Sequence, residues 1–258
     1  MRKALLGPAL AVVVAIAVNA GMDAVGLAGS SFASLLPLTL IFWAIQRLPR
    51  KSMGIGFGRW PHYGLAILHP VLIIGTIALI CLAMGVINVG KVDWLKARND
   101  FLITIAISFP LGLLTEELFF RGWLIGSLEK VGMSELKIMA WTGIAFSLWH
   151  IPAVSMHTED AVPLAQIPVI LVNGAIIGAI WAMLRLLSGS ILVTSVCHAV
   201  WNAGVYVFFG FGTTVGALEI KQTALYGPES GFLGLGLNLV LAIALWQWWM
   251  RSRREAPR

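Results

Sequence analysis

Charge is what this chain has least of. Only 12% of its 258 residues are Asp, Glu, Lys or Arg, while 59% are hydrophobic, and mean hydropathy is +0.87. Soluble domains carry about 25% charged residues and an apolar fraction of about one half, so a water-surrounded globule is excluded. Cysteine is nearly absent. Cys81 and Cys197 both lie in apolar segments, without the spacing of a zinc or disulfide framework, and read as buried thiols. Also missing are a Gly-x-Ser-x-Gly elbow, a Gly-Asp pair and a His-Glu-x-x-His zinc motif, which removes the serine, aspartyl and zincin signatures. There is no internal repeat, low-complexity tract or soluble linker. The only sizeable polar segments are 47–62, 88–100 and 213–230, so residues 1–258 read as a single integral membrane domain.

Apolar windows of span length fall near 4–22, 31–46, 63–88, 101–125, 138–155, 164–184, 190–212 and 231–250. At about 20 residues per crossing these predict an all-α polytopic bundle of about eight helices. The opening Met1-Arg-Lys and the small residues Val18-Asn-Ala20 have the look of a cleavable signal. The run is nonetheless long enough to span, and no soluble domain follows it, so it reads as a retained helix.

The net charge of +6 reports topology rather than nucleic-acid binding, because the cations gather in short interhelical segments and at the termini. With the N-terminus inside, thirteen of the 18 lie on inner segments: Arg2, Lys3, Arg47, Arg50, Lys51, Arg59, Lys130, Lys137, Arg185, Arg251, Arg253, Arg254 and Arg258. Lys91, Lys96, Arg98 and Lys221 fall outside, and Arg121 is left within a helix. The bias predicts cytoplasmic termini. The 88–100 segment, with three of the four outer cations, fits it least.

Against this background Glu116, Glu117 and Arg121 stand out, since charges in hydrocarbon cost at least about 2.5 kcal/mol each. Four residues apart, Glu117 and Arg121 share a helical face and can pair. Glu116 is turned away by about 100°, which leaves it as the acid without a local counter-ion and the one free to act as general base. The plainer reading is an ion pair pinning two helices while Glu116 faces a loop or headgroup.

Phe146 and His150 share a face just before Pro152, which breaks or kinks the helix. His198 and Asn202 are again four apart and project two hydrogen-bonding heads to one side. Singly, His150 can be a satisfied core histidine, and the His198–Asn202 pair can be interhelical polar glue. Together they offer a glutamate and a histidine to bind and deprotonate a water, with a second histidine and an asparagine to donate to the resulting oxyanion. His62, His69 and His157 read as peripheral. The eleven tryptophans, notably Trp246, Trp248 and Trp249, read as interfacial anchors.

Glu-Glu-x-x-x-Arg, then Phe-x-x-x-His, then His-x-x-x-Asn on successive hydrophobic segments resembles the CPBP (Abi) family of intramembrane proteases. That family includes the eukaryotic CAAX prenyl endopeptidases and bacterial bacteriocin-processing and immunity relatives. The match covers about 112–204, with every defining position present, and the Gly-rich run from Asn173 through Arg185 and Gly189 is similar too. The resemblance implies an endopeptidase for a membrane-embedded or lipidated, CAAX-like substrate, in a prokaryotic plasma (inner) membrane. It further implies Glu116 as water-activating base with His150 beside it, Glu117, Arg121 and Phe146 as support, and His198 with Asn202 as oxyanion hole. Metal dependence stays open. Glu116, His150 and His198 could supply three zinc ligands, but Asn202 beside His198 suits hydrogen-bond donation better and favours a metal-free glutamate mechanism. The site is expected below the cytoplasmic surface. A proton-coupled transporter, or a non-catalytic protein binding a peptide or partner, remains as an alternative. No nucleic-acid partner is expected.

Overall fold

The computed structural model describes residues 2–155 and 162–255. Helix α1 (Arg2–Ala24) is followed by a 3-10 turn and α2 (Leu35–Gln46), a loop, then α3 (Trp60–Ala83). Helix α4 (Trp94–Gly112) continues through a π-helical stretch, Leu113–Leu124, into α5 (Ile125–Lys130). Then come α6 (Glu135–Trp149), the short α7 (Ile151–Ser155), α8 (Ile167–Ser188) and α9 (Ile191–Gly204). A two-stranded hairpin, β1 (Gly210–Phe211) with β2 (Thr214–Val215), and α10 (Thr223–Tyr226) lead to the last helix, α11 (Phe232–Glu255).

Among the described residues six helices are long and apolar enough to cross a membrane, and Ser30–Gln46 is a shorter apolar one. The all-α polytopic bundle expected from the hydropathy pattern is therefore present, and the chain is an integral membrane protein. Boundaries differ where local chemistry decides them. The Asp93 side chain caps α4 by accepting from the Lys96 amide at 2.9 Å, so the helix begins inside the segment expected to be polar loop. Gly189, at φ 68°, ends α8 in the left-handed conformation that glycine adopts without strain.

Burial sorts the helices into an inner and an outer set. In α8 and α9, 56% and 61% of the spanning window is buried, against 17% to 33% for the other long spans. Outward residues such as Leu10, Leu72, Leu79, Ile103 and Val240 are exposed, as a lipid-facing surface requires. Helices α6 and α8 meet at glycines. A Cβ on Gly143 would lie 2.3 Å from the Ala175 carbonyl oxygen, and one on Gly178 would lie 2.9 Å from the Gly143 Cα. Small residues let backbones touch, and this contact brings Phe146 and His150 of the α6 end against α8.

Helix α1 belongs to the packed bundle. Ala11, Ala15 and Asn19 are buried, and the Asn19 amide donates to the Trp149 carbonyl at 2.8 Å, fixing the backbone beside His150.

Candidate active site

The Glu-Glu-x-x-x-Arg motif lies on the π-helical stretch rather than on an α-helix. Such i→i+5 turns are rare and recur at functional sites. Pro110, which lacks an amide donor, precedes the stretch, and Thr115 Oγ1 donates to the Leu111 carbonyl at 2.6 Å. Glu117 and Arg121 still meet across the widened turn, with Oε1 and Nη1 3.2 Å apart and both side chains fully buried.

The guanidinium carbon stands 4.2 Å from the Phe146 ring centroid and 5.0 Å from that of Trp181. Its nitrogens have no acceptor in hydrogen-bonding geometry, so the buried cation is balanced by one carboxylate and two aromatic faces.

All three motifs converge. Glu116 Oε2 is 3.8 Å from His150 Nε2 and 3.9 Å from His198 Nε2, and that oxygen has no hydrogen-bond partner. Both separations are too long for a hydrogen bond, but each is short enough for one water to bridge. His150 Nδ1 donates to the Phe146 carbonyl at 2.8 Å, which leaves its Nε2 as an acceptor when the ring is neutral. His198 Nδ1 lies 3.0 Å from Glu117 Oε1. Glu117 thus holds Arg121 on one side and His198 on the other, and the His198 ring is tilted against Trp181 at a centroid distance of 4.6 Å.

Glu116, His150 and His198 line a cavity of about 180 Å³, together with Asn202, Tyr206 and Glu229. Glu117, Arg121, Phe119 and Phe120 are fully buried. The lining also includes Val154, Leu171 and Phe211. All lie at the end of the bundle away from the loop 47–59.

Zinc was tested against the geometry. Bonds of 2.0–2.1 Å in a tetrahedral site put donor atoms about 3.4 Å apart, closer than the 3.8 and 3.9 Å that separate Glu116 Oε2 from His150 Nε2 and His198 Nε2. Among the described residues no three His, Cys, Asp or Glu side chains are grouped to hold a metal ion. As placed, the three do not fit a zinc ion.

Two sequence expectations change. His69 is not peripheral: it is buried, accepts from Trp181 Nε1 at 3.3 Å, stacks on Trp201 and contacts Asn238 at 3.2 Å. Trp123, Trp149, Trp181, Trp201 and Trp249 are core rather than interfacial, whereas Trp60, Trp94, Trp141 and Trp248 are exposed. His157 lies outside the described residues. Cys81 and Cys197 are buried free thiols, as expected.

Sequence reasoning missed Glu229. Its Oε1 accepts from Trp201 Nε1 at 2.7 Å, its backbone carbonyl accepts from Asn173 at 3.0 Å, and burial pushes its carboxyl above the usual carboxylate range. The one signal was an acid in the polar segment 213–230, with no motif around it.

No curated protein and no solved structure matches the chain. The resemblance drawn from the motifs is borne out over the region that carries all three: residues 98–204 match the family model described as Type II CAAX prenyl endopeptidase Rce1-like.

Proposed function

We propose that the chain is an intramembrane endopeptidase in which Glu116, with His150, activates water for attack on a peptide carbonyl of a membrane-associated or lipid-modified, CAAX-like substrate. The carrying observation is Glu116 Oε2, unpartnered and flanked by two imidazole Nε2 atoms at 3.8 and 3.9 Å on a water-accessible cavity. A water there can donate to Glu116 and His150 together. Glu116 takes its proton as the hydroxide oxygen bonds to the carbonyl carbon, and returns that proton to the amine as the C–N bond breaks. Glu117 and Arg121 hold His198 in place, and Phe146 packs between Arg121 and His150.

Asn202 and His198 serve the oxyanion. The Asn202 amide donates in any state, whereas His198, with its Nδ1 proton turned to Glu117, donates from Nε2 only as an imidazolium. The cation bias supports cytoplasmic termini, and a prokaryotic plasma membrane is the location that goes with this reading.

The test is cleavage of a peptide library, with prenylated and unprenylated arms, by reconstituted protein beside a Glu116→Ala control. Cleavage lost in the control supports the reading. Peptide binding without cleavage favours the non-catalytic alternative.

A further inference from the structure

Three buried polar side chains on three different spans serve one turn. His69 on α3, Asn173 on α8 and Asn238 on α11 are each 5% exposed or less. Trp181 Nε1 donates to His69 Nδ1 at 3.3 Å, so the ring carries its proton on Nε2, which donates to Asn238 Oδ1 at 3.2 Å. Asn238 Nδ2 donates to Asn173 Oδ1 at 3.0 Å, and Asn173 Nδ2 donates to the carbonyls of Pro228 and Glu229 at 2.8 and 3.0 Å. Polar groups in apolar spans are costly, and here every bond runs towards the backbone at 228–229. Glycines close the same turn: a Cβ on Gly231 would lie 2.5 Å from the Gly227 nitrogen, and one on Gly234 would lie 2.3 Å from the Pro228 carbonyl oxygen.

What this turn carries is Glu229, whose side chain lines the cavity with Glu116, His150, His198 and Asn202. Trp201 Nε1 donates to its Oε1 at 2.7 Å, which fixes the carboxyl as Asn173 fixes the backbone. A carboxyl has about four acceptor positions on two oxygens, so the indole leaves acceptor capacity unused. Neighbouring donors are spent inside the protein: Ser147 Oγ on the Leu171 carbonyl at 2.6 Å, Trp181 on His69, and His150 Nδ1 on the Phe146 carbonyl. Among the described residues no Lys or Arg lines the cavity to pair with Glu229. A peptide entering such a cavity strips water from its backbone N–H groups, and each one left without an acceptor is costly.

We propose that Glu229 is a substrate-binding residue: its carboxyl accepts a hydrogen bond from one backbone N–H of the bound peptide, beside the bond that is cut. Proline has no N–H to give, so it is refused at that one position. That a bond is cut rests on the endopeptidase reading above, whereas the hydrogen bond does not. Glu116 is engaged by the attacking water in that reading, which leaves Glu229 as the acidic acceptor for the peptide itself. Glu229 also lies beyond residues 98–204, which match the family model, on a turn placed by α3, α8 and α11 rather than by the three motifs.

A peptide cleaved by the reconstituted full chain is remade as a series in which one backbone amide at a time becomes an ester, which deletes a single N–H. Glu229→Gln is compared with the unaltered protein. Trp201 Nε1 can only donate, so it draws the new amide oxygen to itself and leaves an NH2 group where the peptide N–H needs an acceptor. In the unaltered protein one ester should raise KM by about 10-fold or more, the scale of a lost buried hydrogen bond, and proline at that position should not be cleaved. Glu229→Gln should raise KM for the parent peptide by a similar factor, and the same ester should then cost it little, while the other esters act alike on both proteins. Glu229→Ala, read in the same way, stands in if Glu229→Gln does not fold. Equal ester losses in both proteins at every position would overturn the proposal. If no peptide is cleaved, the endopeptidase reading fails and the series is read by binding affinity instead. An ester whose effect vanishes in Glu229→Gln then upholds the hydrogen bond, and ester effects that persist at every position, or no binding at all, overturn it.

Discussion

His198 Nδ1 lies 3.0 Å from Glu117 Oε1, the same oxygen that stands 3.2 Å from Arg121 Nη1. A carboxylate held by arginine only accepts, so the His198 proton belongs on Nδ1 and its Nε2 is turned towards Glu116. Nitrogen NMR of histidine-labelled protein in detergent should find His198 carrying a proton on Nδ1. A neutral ring protonated only on Nε2 would contradict the arrangement.

Arg121 has little but Glu117 and aromatic rings to balance it, so removing either charge strands the other in the core. Such a loss costs about 3–5 kcal/mol. Arg121→Ala should melt well below the unaltered protein in detergent, and Arg121→Ala with Glu117→Ala should recover part of the difference. Equal melting of the single and double variants would mean that the pair contributes nothing.

The α6–α8 contact positions His150 from a distance. Gly143→Ala places a methyl 2.3 Å from a backbone carbonyl oxygen, which forces the helices apart at a cost of about 1–3 kcal/mol. Turnover should fall although no group of the site is altered. Full turnover with an unchanged melting temperature would show that close approach does not set the site.

Hydrogen bonds on Nδ1 of His150 and His198 would orient metal ligands as well as they orient acid–base groups, so composition has to separate the mechanisms. Purified active protein should contain well under one equivalent of zinc, keep its activity through prolonged chelation, and lose about 100-fold in turnover with Asn202→Ala, the scale of a lost oxyanion donor. Stoichiometric zinc lost with His198→Ala, with chelated protein revived by added zinc, would make His198 a ligand.

Much of the bundle was legible because membrane helices write their length and polarity directly into the chain. The convergence of Glu116, His150 and His198 was legible too, since charged and hydrogen-bonding heads in apolar spans have few other reasons to be there. The π-helical stretch was not, because hydropathy carries no mark of an i→i+5 turn and Pro110 alone predicts only a kink. His69 was misplaced because its neighbours Trp181, Trp201 and Asn238 come from distant helices. Glu229 was invisible for the same reason: its partner Trp201 is fixed by tertiary packing.

Glu116→Gln keeps size and burial but cannot take a proton from water. With a cleavable peptide from the library, folded and reconstituted Glu116→Gln should show no turnover above background while melting like the unaltered protein. Turnover within about threefold of the unaltered protein, where loss of a general base costs about 100-fold or more, would contradict the assignment of Glu116 as the water-activating base.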